Sequence, residues 1–209
     1  MNKTDWDSYY NKPYKSASFT RKITQNALIE YIKKYSALKT DFTICELGGA
    51  NSCFYNALAS EFKPSKYIII DNNEIGLKKF NETHNQSCPV ELINENILAM
   101  NNYNKKSDVV FSVGLIEHFS ESDTVLAVKS HFDLVEKNGI VIISVPTPTF
   151  LYNIIRKAAE LAGMWIFHDE TPIPAVSALS IFKKFGEVID HKILWLLGLT
   201  QVMAVIKKK

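Results

Sequence analysis

Three groups of residues in this chain have the types and spacing to do chemistry. Glu46-Leu47-Gly48-Gly49-Ala50 sets an acid ahead of a small-residue turn, Asp71 ends the apolar run Ile68-Ile69-Ile70, and Glu117-His118 follows Val109–Val113 and Gly114. Glycine at 48 and 49 lets the backbone turn sharply and approach a ligand that a Cβ would obstruct. Asp71 comes 23 residues after Gly48. There a carboxylate at the tip of a neighbouring strand can accept both ribose hydroxyls of an adenosine. The same residue also fits as the N-cap of a helix beginning near Asn73. His118 is a candidate general base for an acceptor that must lose a proton; alternatively, Glu117 and His118 order the loop and the start of the next helix. His168-Asp169-Glu170 is a further polar cluster, bordering an acceptor pocket or forming a solvated turn before Thr171-Pro172. Consecutive residues rarely converge on one ion, so no metal is expected.

The elements that must position these groups follow from hydrophobic pattern. Residues 1–19 are rich in Tyr, Asn, Lys and Ser and read as an irregular lead-in. Ile23, Ala27, Leu28, Ile32 and Tyr35 recur at helical spacing between Thr20 and Leu38. Strands are expected at Phe42–Leu47, Tyr67–Ile70, Val90–Ile93, Val109–Val113 and Ile140–Val145. Helices are expected at Ser52–Glu61, Asn73–Asn85, Glu121–Val135, Phe150–Gly163 and Ala175–Lys184. Continuous apolar strands alternating with helices imply a parallel, doubly wound α/β sheet covered on both faces. Val188–Trp195 and Leu199–Ile206 flank Leu197-Gly198 as a closing antiparallel hairpin. In such sheets ligands lie beyond the carboxyl ends of the strands.

Composition narrows the function. The 209 residues are 46% hydrophobic and 22% charged, with a formal net charge of +2. That balance fits one ordinary globular domain and gives no case for nucleic-acid binding. Lys207-Lys208-Lys209 reads as a frayed, solvated terminus. Cys45, Cys53 and Cys88 form no CxxC pair, and Cys45 falls inside an apolar strand as a core thiol. The amino end lacks a signal segment, and the run Ile193–Ile206 is too short to span a bilayer. The expectation is a cytoplasmic protein without stable membrane insertion. His84, His131 and His191 read as surface or helix-face residues, and the sequence sets no oligomeric state.

A dinucleotide site expects G-x-G-x-x-G, but counting from Gly48 the third position is Ala50 and the sixth is Cys53. Glu46 is also poorly placed beside a pyrophosphate, whereas it suits a ligand with a positive ammonium or sulfonium. Here the residues resemble class I S-adenosylmethionine-dependent methyltransferases, of the small-molecule type with a Glu-His motif after strand four. The resemblance covers about residues 42–145. It implies a seven-stranded Rossmann-like sheet ending in an antiparallel hairpin, with S-adenosylmethionine as cofactor and S-adenosylhomocysteine as product.

By the same resemblance, Glu46-x-Gly48-x-Ala50-x-Ser52 is the glycine-rich first motif, and Glu46, Gly48, Gly49 and Asn51 would contact the cofactor. Asp71 with Asn72 would hold the ribose, Asn96 with Ile97 would face adenine, and Val113 would contact the cofactor through its backbone. Arg21 would pair with the cofactor's carboxylate or, alternatively, form a solvated pair with Lys22. The chain departs from the pattern at Ala50, Ser52 and Asn96. His118 is the candidate catalytic residue. Tyr10, Glu117, Trp165 and His168 are candidates for binding a small-molecule acceptor hydroxyl or amine, with Tyr9, Tyr10 and Tyr14 closing over the cofactor; alternatively the aromatics of the cover simply pack it onto the sheet. The expected layout is a single domain: lead-in and helix at 1–40, cofactor core at 41–145, acceptor-side cover at 146–187 and hairpin at 188–209. A nicotinamide-dependent oxidoreductase and a non-catalytic cofactor-binding scaffold are the competing readings.

Overall fold

The computed structural model describes residues 3–11, 18–100, 103–194 and 198–208. The readings at Tyr14, Trp195, Leu197 and Lys209 lie outside them. Seven strands form one sheet: β1 Thr43–Leu47, β2 Lys66–Asp71, β3 Val90–Asn94, β4 Ser107–Val113, β5 Val135–Pro146, β6 Gly186–Leu194 and β7 Gln201–Lys208. Their order is β3-β2-β1-β4-β5-β7-β6, with β7 antiparallel to both β5 and β6. A dinucleotide-binding sheet runs in the order 3-2-1-4-5-6. The reversed strand inserted here separates the two.

Among the described residues the α-helices are α1 Trp6–Asn11, α2 Ser18–Tyr35, α3 Tyr55–Phe62, α4 Glu74–Thr83, α5 Glu121–Leu134, α6 Phe150–Leu161 and α7 Ala175–Lys183. Side chains alternate across a strand, and each face is covered. Ile44, Ile69, Val109, Phe111 and Ile142 pack with residues of α2, α3 and α4. Cys45, Ile68, Val110 and Val141 pack with residues of α5 and α7. With both faces buried, alternation in polarity disappears from the central strands, which is why they read as continuous apolar runs.

Several expectations are corrected. The lead-in contains α1, six residues with no hydrophobic period. Asp5 caps it, accepting from the backbone N–H of Ser8 at 2.9 Å, and α1 packs against α4. α3 begins three residues later than expected because Ser52 is spent on capping: its Oγ accepts from the N–H groups of Phe54 and Tyr55. Lys207 and Lys208 are not frayed but continue β7, opposite Glu187 and Gly186. His131 is fully buried, with Nε2 2.9 Å from Ser112 Oγ and Nδ1 2.8 Å from the Ala127 carbonyl. Burial lowers its pKa to about 4, so it is a neutral core histidine pinning α5 to β4.

Candidate functional site

At the carboxyl end of β1 the chain turns through Gly48, whose φ of +71° favours glycine. A Cβ there would stand 2.7 Å from Cδ1 of Leu115, so the side chain after β4 lies directly over the turn. Glu46 is 4% exposed and accepts through Oε2 from Ser52 Oγ at 2.6 Å and from Tyr67 OH at 2.7 Å. Burial pushes its pKa up to about 7, against the two hydroxyls that favour the ionised form. Because Ser52 also caps α3, one network joins β1, β2 and the first turn of the helix. Ser52 thus ties the turn after β1 to the start of α3. Ala50 is less comfortable, with φ of +26° in a non-glycine residue.

Asp71 ends β2 and is 8% exposed. Its Oδ1 accepts from the backbone N–H of Asn73 at 2.8 Å. The cap of α4 is Asn73 itself, which accepts from Gly76. The capping alternative for Asp71 therefore falls away. Burial raises the Asp71 carboxyl to about 6, moderated by backbone N–H groups of Asn73, Ala50 and Asn72.

Asp71, Gly48, Asn72, Asn96 and Ile97 line one crevice at the carboxyl edge of the sheet. Glu95, Leu115 and Phe119 complete it and were not singled out from the sequence. Glu95 directly follows β3, and the other two flank Glu117-His118, so strand-end position was the available signal. Asn96 accepts from Leu98 N–H at 3.0 Å, capping the short turn Ile97–Ala99.

Glu46, Gly49, Asn51, Arg21 and Val113 are not in the crevice lining. Asn51 accepts from Thr83 near the end of α4. Arg21 donates from Nη2 to Tyr9 OH at 2.9 Å, which ties α2 to α1. Val113 faces Ser144 across the ladder. A second hollow, lined by Thr20, Thr24, Leu194 and Gln201, lies away from these groups and contains no ionisable side chain.

Beyond β4, Gly114 turns the chain at φ +68° into the short helix Ile116–His118. Glu117 is 2% exposed, and its Oε2 is buried without a hydrogen-bond partner. Burial, with the Glu170 charge nearby, raises its pKa well above the carboxylate range. His118 Nδ1 lies 2.9 Å from Asp169 Oδ1, and Thr4 Oγ1 donates to the same oxygen. Asp169 is held below its usual pKa: burial opposes ionisation, but the Thr4 and His118 bonds outweigh it.

Glu170 accepts from Tyr152 OH, and Arg156 Nη1 stands 3.4 Å from its Oε1. Carboxylate oxygens of Glu117 and Glu170 and a ring nitrogen of His118 lie within 4.8 Å of one another. Of the expected triplet, Asp169 and Glu170 join this cluster while His168 is exposed. Trp165 lies over Arg156, 5.2 Å from ring centre to guanidinium carbon, and packs the cover. Trp6 meets His118 edge-on at 5.0 Å, and Tyr10 sits beneath it against α4. Burial raises the Tyr10 hydroxyl far above its usual pKa.

Residues 44–139 match a family model described as a methyltransferase domain. No curated protein sequence matches the chain. Among solved structures, one relative in fold is a magnesium protoporphyrin IX methyltransferase from Synechocystis with S-adenosylhomocysteine bound. It has a TM-score of 0.69 at 12% identity, covering 90% of this chain and 84% of that one. An N-methyltransferase, NodS, from Bradyrhizobium japonicum, also with S-adenosylhomocysteine, gives 0.64 at 11% identity over 91% and 88%. An O-methyltransferase family protein from Burkholderia thailandensis gives 0.66 at 13% identity over 89% of this chain; this chain spans only 57% of that one. At these identities the likeness is one of fold. The match to a methyltransferase domain covers the cofactor-side strands, and the sheet, with β7 reversed between β5 and β6, has the fold of the class I S-adenosylmethionine-dependent methyltransferases.

Proposed function

We propose that the chain moves a methyl group from S-adenosylmethionine to a hydroxyl or amine of a small molecule or biosynthetic intermediate by direct displacement. The observation that carries this reading is the buried Asp71 carboxyl in a strand-edge crevice beside Gly48, with Glu117 and His118 at the adjacent strand tip. The residues fit the adenosine half of the cofactor: a buried carboxylate for the ribose, a turn where a Cβ would collide, and the Asn96 amide at the far wall. When bound, the cofactor supplies an electrophilic methyl on a sulfonium.

The chain's own residues do the rest. Asp71 and Asn72 grip the ribose, Asn96 and Ile97 border adenine, and Gly48, Gly49, Asn51 and Val113 admit close backbone approach. Glu46 holds the turn and offers negative charge to an ammonium. Arg21, now on Tyr9, is near enough to the covering helix to serve a carboxylate. α1 covers the crevice and excludes water, and alignment of this kind can supply about 7–11 kcal/mol of the barrier. His118, with Nδ1 held by Asp169, presents Nε2 towards the acceptor side. Tyr10 and Glu117 border that space, with Trp165 and His168 on its outer cover.

The matched structures include both an O- and an N-methyltransferase by name, so the fold leaves the attacked atom open. The match to a methyltransferase domain and the reversed β7 favour this reading over the oxidoreductase alternative. Among the described residues no helix is long and apolar enough to cross a membrane.

Calorimetry with S-adenosylhomocysteine is the direct test, with binding expected in the micromolar range; no heat up to millimolar ligand rejects the proposal. Incubation with S-adenosylmethionine and cell extract should then yield a product heavier by one CH₂ unit. Binding without any such product would favour a non-catalytic scaffold.

A further inference from the structure

We propose that Glu117, His118 and Glu170 form a binding site for one divalent first-row cation beside the methyl acceptor. Their ligand atoms already lie within 4.8 Å of one another. Ligands about 2.0–2.2 Å from such an ion sit roughly 3–4 Å apart, so small side-chain rotations close the set. Two further observations point the same way.

The first is Glu117 Oε2, which is buried and has no partner in the protein. An unsatisfied buried carboxyl oxygen costs about 1–3 kcal/mol. Arg156 and Tyr152 already serve Glu170 through Oε1, but no donor among the described residues answers Glu117 Oε2. A dication between the two carboxylates would give that oxygen the partner it lacks and compensate two acids buried side by side.

The second is the bond from His118 Nδ1 to Asp169. A metal-ligating imidazole nearly always gives its other ring N–H to a carboxylate or carbonyl, which fixes the tautomer and strengthens the ligand. Here Asp169 takes Nδ1 and leaves Nε2 for the ion. Two carboxylate oxygens and one imidazole suit Mn²⁺, Fe²⁺ or Zn²⁺ better than a soft, thiolate-seeking ion.

Three protein ligands leave open positions for water or an acceptor oxygen. Resting on the methyl-transfer reading, this favours a hydroxyl acceptor held through its oxygen, with His118 acting as a ligand instead of a free base.

The test uses the full chain after chelator treatment, with Mn²⁺ as the probe. Free Mn²⁺ followed by its paramagnetic resonance should fall at one ion per chain with micromolar affinity. Glu117→Gln and Glu170→Gln should each weaken binding at least about tenfold, with unchanged S-adenosylhomocysteine binding as the check on folding. On the wild-type protein, bound Mn²⁺ should broaden the His118 ring signals selectively. Three results overturn the proposal: no binding at millimolar Mn²⁺ or Zn²⁺, binding unaffected by both substitutions, or His118 signals that stay sharp. S-adenosylhomocysteine binding without Mn²⁺ binding would remove the cation site and keep methyl transfer, and the converse result would do the reverse.

Discussion

Two buried glutamates at neighbouring strand tips meet opposite fates. Glu46, near the end of β1, receives two hydroxyls, from Ser52 and Tyr67. Glu117, beyond β4, has an oxygen with no partner among the described residues. The first carboxyl is a structural knot, tying strand to strand to helix. The second is held at a cost with no visible structural return, and such unpaid polarity is characteristic of a site built for something that arrives later. The carboxyl on the proposed cofactor side is satisfied within the protein, while the one on the proposed acceptor side is left with an open oxygen.

The largest effects should separate these edges functionally. His118→Ala is expected to cut methyl transfer by about 10²–10⁴-fold while leaving S-adenosylhomocysteine affinity near wild type, read by single-turnover kinetics beside calorimetry. Asp71→Ala should do the opposite first, weakening that affinity by about 30–100-fold, as for loss of hydrogen bonds to a charged group. Equal losses of affinity in both variants would erase the distinction.

A step smaller, the two glutamates can be set against each other in stability. Glu46→Ala strands two hydroxyls and should cost about 2–4 kcal/mol, whereas Glu117→Gln removes a buried acid and should raise the melting temperature at pH 8. A destabilised Glu117→Gln would mean that its carboxylate is needed for the fold.

pH gives a third contrast. Folding raises Glu46 to about 7 and Asp71 to about 6, so the folded state holds protons that the unfolded chain releases near pH 4. The stability from these groups is full below pH 4 and is lost as pH rises through 6 and 7. For Glu46 the swing is on the order of 3 kcal/mol. Urea midpoints of the ligand-free protein should therefore lie higher at pH 5.5 than at pH 8, apart from the opposite contribution of neutral His131. Ionised Asp71 is the form that grips ribose, so S-adenosylhomocysteine affinity should fall below about pH 6.

The smallest expected effect is at Ala50, where glycine relieves a positive φ. Ala50→Gly should gain up to about 1 kcal/mol.

The cofactor edge was legible in the sequence because its elements are local. A strand, a glycine turn and an acid at the next strand tip all fall between Glu46 and Asp71. The acceptor edge was only half legible. His118 and Asp169 are 51 residues apart, and nothing in a single sequence pairs them. Reading His168-Asp169-Glu170 as one unit hid the fact that Glu170 meets Glu117 and His118, more than fifty residues away in the chain. α1 was missed because six residues are too few to display a period. His131 was misplaced because its partner Ser112 sits inside a strand that looks apolar.

The bond from Thr4 to Asp169 gives the amino-terminal segment a say in chemistry beyond shielding. Asp169 steadies the imidazole, and Thr4 steadies Asp169. On the proposed role of His118, displacing this segment would take one partner from Asp169 and loosen its hold on the imidazole, so cover and base would be coupled through a single carboxylate.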